Sequence, residues 1–239
     1  MSELTNQEPK ELVNVTESMF DPDSGITMED ITIGRISIQQ SMSELVQNDL
    51  AKVGDIVNLM DNTIIGGKDT SFEFIPISSF KYWIEKDGDD FIGRYPALNP
   101  NEKPWNEGTI KRVFHHSFYA LLVNDLQDGF AMPVEIPFRS TDLASARKLS
   151  SFIVKLWMRK LPIYGKVFKI NSMIKKKDKY TWYVSNITEG RETTAIERNL
   201  AKVWANTLKT NSTIKHTEAD VEPAFMEDNN VQSSDDLMF

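Results

Sequence analysis

Ser71-Phe-Glu-Phe-Ile-Pro-Ile-Ser-Ser-Phe-Lys-Tyr-Trp-Ile-Glu85 is the stretch that decides the fold of this chain. Its density of Phe, Ile, Tyr and Trp predicts a β-strand, because such side chains suit a pleated, half-buried surface. Taken as a first barrel strand, it sets the place of every downstream segment. Residues 113–123 and 131–138 read as the next two strands, separated by Asn124-Asp125 and Asp128-Gly129. Ser140-Thr141-Asp142 supplies a helix N-cap, and Leu143, Ala146, Leu149, Ile153 and Leu156 recur at helical spacing before Pro162. Residues 165–174 and 179–187 flank Lys175-Lys176-Lys177-Asp178 as a hairpin, and 193–208 read as a final amphipathic helix.

Three strands, a helix and two strands is the order of an oligonucleotide/oligosaccharide-binding (OB) barrel. The expected fold is therefore mainly β with helices: an OB-like small β-barrel with one inserted helix, a C-terminal helix and disordered acidic ends. Another small barrel or an α+β sheet fits the same pattern if the first strand is placed elsewhere. Upstream, Ile31, Ile33, Ile36 and Ile38 form a β-like pattern, and two apolar runs around Asp61-Asn62 signal a hairpin. Residues 31–66 are thus an added β element on a core spanning 31–209. Residues 91–107, rich in Pro and Asn, read as a loop joining two parts of the fold.

The net charge of −8 over 239 residues hides a division. Residues 1–30 hold eight acids and one Lys, and 217–239 hold seven acids with no Lys or Arg. The body between them carries 26 basic and 20 acidic residues. The ends cannot bury enough apolar surface to offset the entropy of ordering, so an acidic arm over 1–30 and an acidic tail over 210–239 are expected to be disordered. The absence of Cys excludes disulfides and thiolate zinc sites. With no secretory signal in the first 30 residues and no apolar run near the ~18–20 needed to span a bilayer, a cytoplasmic protein without a membrane partner is expected.

Between Arg147 and Tyr180 stand eleven basic residues and one acid, Asp178. Cations at this density bind phosphate backbones through counterion release, and they also suit a merely solvated face. The candidate cationic track is Lys155, Arg159, Lys160, Lys166, Lys169, Lys175, Lys176, Lys177 and Lys179. Interleaved rings, Trp157, Tyr164, Phe168, Tyr180, Trp182 and Tyr183, offer stacking surfaces, although some must fill the barrel. Alternation leaves open which of Trp182 and Tyr183 faces inward; the preferred reading puts Trp182 inside and Tyr183 outside. Phe80-Lys81-Tyr82-Trp83 gives a second candidate, with Lys81 and Trp83 presented together, and Arg112 extends the path. His115 and His116 are adjacent on a strand and point to opposite faces, so they do not converge on a metal. Gly66-Gly67-Lys68 lacks the spacing of a phosphate-binding loop, and no carboxylate group has nuclease spacing. A binding protein, not an enzyme, is expected, with no metal and no cofactor.

The chain ends Asp235-Asp236-Leu237-Met238-Phe239. This tip resembles that of bacterial single-stranded-DNA-binding proteins, which reads Asp-Asp-Ile-Pro-Phe, with Leu237-Met238 in place of Ile-Pro. With the barrel order, the layout over about residues 70–239 is similar to the single-stranded-DNA-binding proteins of bacteriophage replication systems. That resemblance implies sequence-nonspecific binding of single-stranded DNA, and a tail that competes with DNA and recruits replication or recombination proteins such as a polymerase or helicase-primase. A homo-oligomer, and the host cytoplasm as location, are further implications. The residues also fit a recombination mediator or strand-annealing protein, or an inhibitory protein whose acidic ends mimic DNA.

Overall fold

A computed structural model of the chain describes residues 30–88, 90–99, 103–126, 131–210 and 215–216. The expected acidic arm before residue 30, and the tail beyond 216 with its Asp235–Phe239 tip, lie outside the described residues. The regular elements begin with β1 (Thr32–Ile38), α1 (Glu44–Gln47), β2 (Ile56–Asn58), β3 (Thr63–Gly66), β4 (Phe72–Asp87), β5 (Asp90–Pro96), β6 (Trp105–Glu107) and β7 (Ile110–Leu122). Then come α2 (Val123–Leu126), β8 (Pro133–Arg139), α3 (Leu143–Met158), β9 (Lys166–Lys177), β10 (Tyr180–Glu192), α4 (Ala195–Thr210) and β11 (Lys215–His216).

The sheet order is β10-β9-β4-β7-β8-β1-β2-β3, and α3 lies in sequence between β8 and β9. Its first five strands, with that helix, have the order expected of an OB-like barrel. Period-two alternation gives the sheet two apolar faces. Phe74, Phe118, Ile136, Phe138, Phe168, Ile170 and Ile187 line one face, closed by Ala146, Leu149, Ile153 and Leu156 of α3. Those helix positions are four of the five periodic residues read from the sequence; Leu143 is only half-buried. Ile33, Ile75, Ile77, Tyr119 and Leu121 line the other face, covered by Ala201, Trp204, Ala205 and Leu208 of α4. Each fully buried Leu, Ile or Phe among them is worth about 1.5–3 kcal/mol. The Trp204 indole donates to the Ala131 carbonyl at 3.0 Å, which satisfies its one polar atom inside this layer. Pro76, which has no N–H to give a ladder, sits where the β4–β7 register slips, between Pro76 and Ser78.

The added element over 31–66 extends the curled sheet past β8. β1 pairs parallel with β8 and antiparallel with β2, and the β2–β3 hairpin turns at Asn62 with φ +59°. On the far edge, the backbone of β10 is satisfied by side chains. The Gln40 amide donates to the Tyr183 carbonyl at 2.9 Å and accepts from its N–H at 3.0 Å. Asp142 accepts from the Ser185 N–H, and the Ser145 hydroxyl donates to the Ser185 carbonyl. Asp142, in the expected cap of α3, makes no side-chain capping bond to the helix backbone, and its carboxylate binds the Ser185 N–H of β10. Burial holds its carboxyl above the usual carboxylate range.

Residues 91–107 correct the loop reading. β5 pairs with the outer half of β4, and β6 pairs with the start of β7. β4 is 16 residues long, so it offers pairing partners beyond the barrel, and a Pro/Asn-rich segment forms strands along that edge. The tail reading also shifts at its start, since Lys215–His216 pairs in parallel with Thr32–Ile33. At the start of α4, Glu197 accepts from the Thr194 N–H and the Thr194 hydroxyl accepts from the Glu197 N–H, a reciprocal cap. Arg191 adds two guanidinium bonds to the same carboxylate.

Two outcomes are expected. Gly54 has φ +94°, and a Cβ there would meet the Tyr183 ring at 2.5 Å. Gly54→Ala should therefore cost about 1–3 kcal/mol in denaturant unfolding, and an unchanged midpoint would refute the close packing. The Arg191 partnership lowers the Glu197 carboxyl from 4.5 to about 2. A folded-state value below the unfolded one contributes stability that is present above pH 4.5 and lost as pH falls towards 2. Glu197→Gln should flatten the acid limb of a melting-temperature profile in that window.

Candidate nucleic-acid interface

The β9–β10 hairpin outruns the barrel as a finger. Residues 173–181 are all exposed, and Asp178 turns the tip with φ +53°. In register, Tyr180 faces Lys177 and Trp182 faces Lys175. Alternation puts these four side chains on one face of the finger, two rings beside two ammonium groups. Tyr180 is 44% exposed, and the Lys179 ammonium lies 5.2 Å from its ring centroid. Trp182, nearer the barrel, is half-buried. Among the described residues no ion pair holds Lys175, Lys176, Lys177 or Lys179. Such a face can stack bases and neutralise phosphates together.

Two rings read from the sequence as stacking residues are placed otherwise. Tyr183 shares the inward face with Ser185 and Ile187 and lies against Gly54, so its ring is taken up by the added element. Trp182, read as the inward ring, is on the opposite face beside Lys175. Trp83 is 2% exposed, packed edge-on to Phe114 at 5.1 Å, and its ring is closed to any base. Lys81 remains exposed, opposite His116. Burial and Lys81 lower the His116 imidazole to about 4, so it is neutral at physiological pH.

The long cationic track divides. Lys155, Arg159 and Lys160 are exposed at the C-terminal end of α3, and Lys166 opens β9 close by in sequence. Nine residues of strand, ~30 Å, separate Lys166 from Lys175. Several cations of this first group are also answered: Arg159 by Glu192 at 3.4 Å, Lys166 by Glu189, and Lys169 by Glu73 at 2.9 Å. Glu73 comes from another strand, a pairing that charge density along the chain does not reveal.

Arg112 is likewise engaged. Its guanidinium binds Glu85 at 2.6 Å and lies 5.6 to 5.8 Å from the Trp83, Tyr95 and Trp105 ring centroids. Tyr95 and Trp105 fall in the segment read as a loop, and nothing local beyond their residue type signals this cluster. Around the base of the β4–β5 hairpin, the Tyr82 hydroxyl donates to Glu135 at 2.7 Å and accepts from Ser117, while Arg94 binds Glu135 at 3.1 Å and stacks 3.5 Å above the Tyr82 ring. Burial first, and the Glu135 charge second, push the Tyr82 phenol well up. His115 stacks on Tyr82 and His116 on Phe118, on opposite faces as expected. Desolvation holds His115 neutral.

Among the described residues no three His, Asp or Glu side chains form a metal-holding group, and no helix is long and apolar enough to cross a membrane. No curated protein and no solved structure matches the chain significantly. A family model described as Pam3 phage gp34-like protein matches residues 10–220, which takes in the whole barrel, the finger and α4. The chain thus belongs to the Pam3 phage gp34-like protein family, a family of bacteriophage type.

Proposed function

We propose that this protein binds single-stranded DNA without reading its sequence, in phage DNA replication or recombination. The observation that carries this reading is the finger face, where Tyr180 and Trp182 stand beside Lys175 and Lys177. The finger joins the fourth and fifth strands of the OB order, a connection that OB folds use for oligonucleotides. Rings stack on any base, and ammonium groups meet any phosphate, so the face discriminates strandedness more than sequence. A duplex keeps its bases stacked on each other and offers the rings nothing. The role is binding rather than catalysis, and no cofactor is needed.

The tail supplies regulation. Its seven acids from Glu218 onward complement the finger's four lysines, so it competes with DNA for them in the free protein. DNA then frees the tail, and Phe239 with Asp235 and Asp236 docks replication or recombination proteins, the ring in an apolar pocket and the acids on basic groups.

Two outcomes test this. A fluorescent ~30-nucleotide single strand should bind with an affinity that falls steeply with salt, and duplex should bind more weakly. Tyr180→Ala should cost ~1–3 kcal/mol of binding with an unchanged melting temperature, and Lys175→Ala with Lys177→Ala should flatten the salt dependence. No binding by the intact protein would overturn the reading. Removing 217–239 should tighten binding at low salt and leave it unchanged at high salt; equal affinities throughout would remove the competition between tail and DNA.

A further inference from the structure

Beside the base of the finger lies a cleft of about 380 Å³ between the 52–55 turn and residues 64–70. Lys52 and Lys68 stand on it, and Val53 and Ile64 give it apolar walls, 41% and 50% exposed. It is held to β9 immediately before the finger begins. The Ser172 N–H donates to the Gly67 carbonyl and its hydroxyl to the Gly54 carbonyl, while Asn171 donates to the Lys68 carbonyl at 3.1 Å. Asn171, Met173, Lys175 and Lys177 share one face of β9 at ~6.6 Å per step, so the row of finger lysines leads to the Lys68 turn. Gly66 and Gly67 have no side chains to narrow the floor, and the Gly67 backbone is already engaged through its N–H to Thr70. Lys52 is held in place by its own N–H, which donates to the Asp55 carboxylate at 2.8 Å.

We infer that this cleft is a second nucleotide subsite, taking one base of a single strand against Val53 and Ile64 with the flanking phosphates on Lys52 and Lys68. It rests on the single-strand reading and extends it from the finger to the added β element. Asp55 and exposed Asp69, on the same cleft, oppose a phosphate and set the subsite's affinity low. The subsite therefore acts as an extension for a strand already held by the finger, not as an independent site.

The test uses the full chain with Lys52→Ala and Lys68→Ala together, beside the finger pair Lys175→Ala and Lys177→Ala. Fluorescent oligothymidylates of ~5 and ~20 nucleotides are titrated over a salt series, spanning the range of OB-fold site sizes. The cleft variant should lose roughly tenfold in affinity for the longer strand at low salt, and its salt slope should fall by about 1.4, at about 0.7 per released single-strand contact. The shorter strand, filled by the finger, should bind it as it binds the wild type, while the finger variant loses both. Asp69→Asn should tighten the longer strand only. Binding by the wild type and loss in the finger variant, with the cleft variant unchanged for both lengths, would overturn the subsite and leave the finger reading intact. Absence of binding by the wild type would overturn both.

Discussion

The free backbone edge of β10 is the constraint around which this molecule is organised. Five strands in OB order leave an open edge at β8 and another at β10, and unpaired N–H and C=O groups on an edge invite pairing with other chains. β1 takes up the β8 edge. The β10 edge is met by Gln40, Asp142 and Ser145, whose side chains occupy the Tyr183 and Ser185 backbone groups. Three side chains from two separate segments thus end on one strand, and each is fixed in position by doing so. Gly54 belongs to the same closure, because only a residue without Cβ lets the turn lie on Tyr183.

A sheet with apolar residues on both faces needs two covers. α3 closes the inner face and α4 the outer, and the outer layer continues into a buried polar group built from Tyr82, Ser117, Arg94 and Glu135. Charged and neutral donors converge on Oε1 of that carboxylate, which offsets part of the cost of burying it. Arg94 belongs to β5, so this contact also ties the β4–β5 hairpin to the barrel.

Electrostatics separates cations that hold the fold from cations that face solvent. Lys166, Lys169, Arg159, Arg112 and Arg191 answer carboxylates within the protein. Lys175, Lys176, Lys177 and Lys179 stand on a protruding turn where alternation and exposure leave them to solvent. The first set is already neutralised by partners within the fold. The second set is held by no ion pair among the described residues.

Strand and helix order were legible in the sequence, because alternation and helical spacing are set by the periods of the backbone itself. The α3 core face and the opposed histidines come from those periods alone, and the Asn62 hairpin from its turn residues. The questions left open by the sequence depended on contacts between distant segments. Trp83 and Tyr183 are aromatic in either location, and only Phe114, Tyr95 and Gly54 arriving from elsewhere cover them. The strands at 90–96 and 105–107 form against a β4 and a β7 long enough to pair with them, which no local propensity reports. The division of the basic run into paired and solvent-facing lysines was decided by Glu73, Glu189 and Glu192, since charge along the chain is local but its neutralisation is three-dimensional.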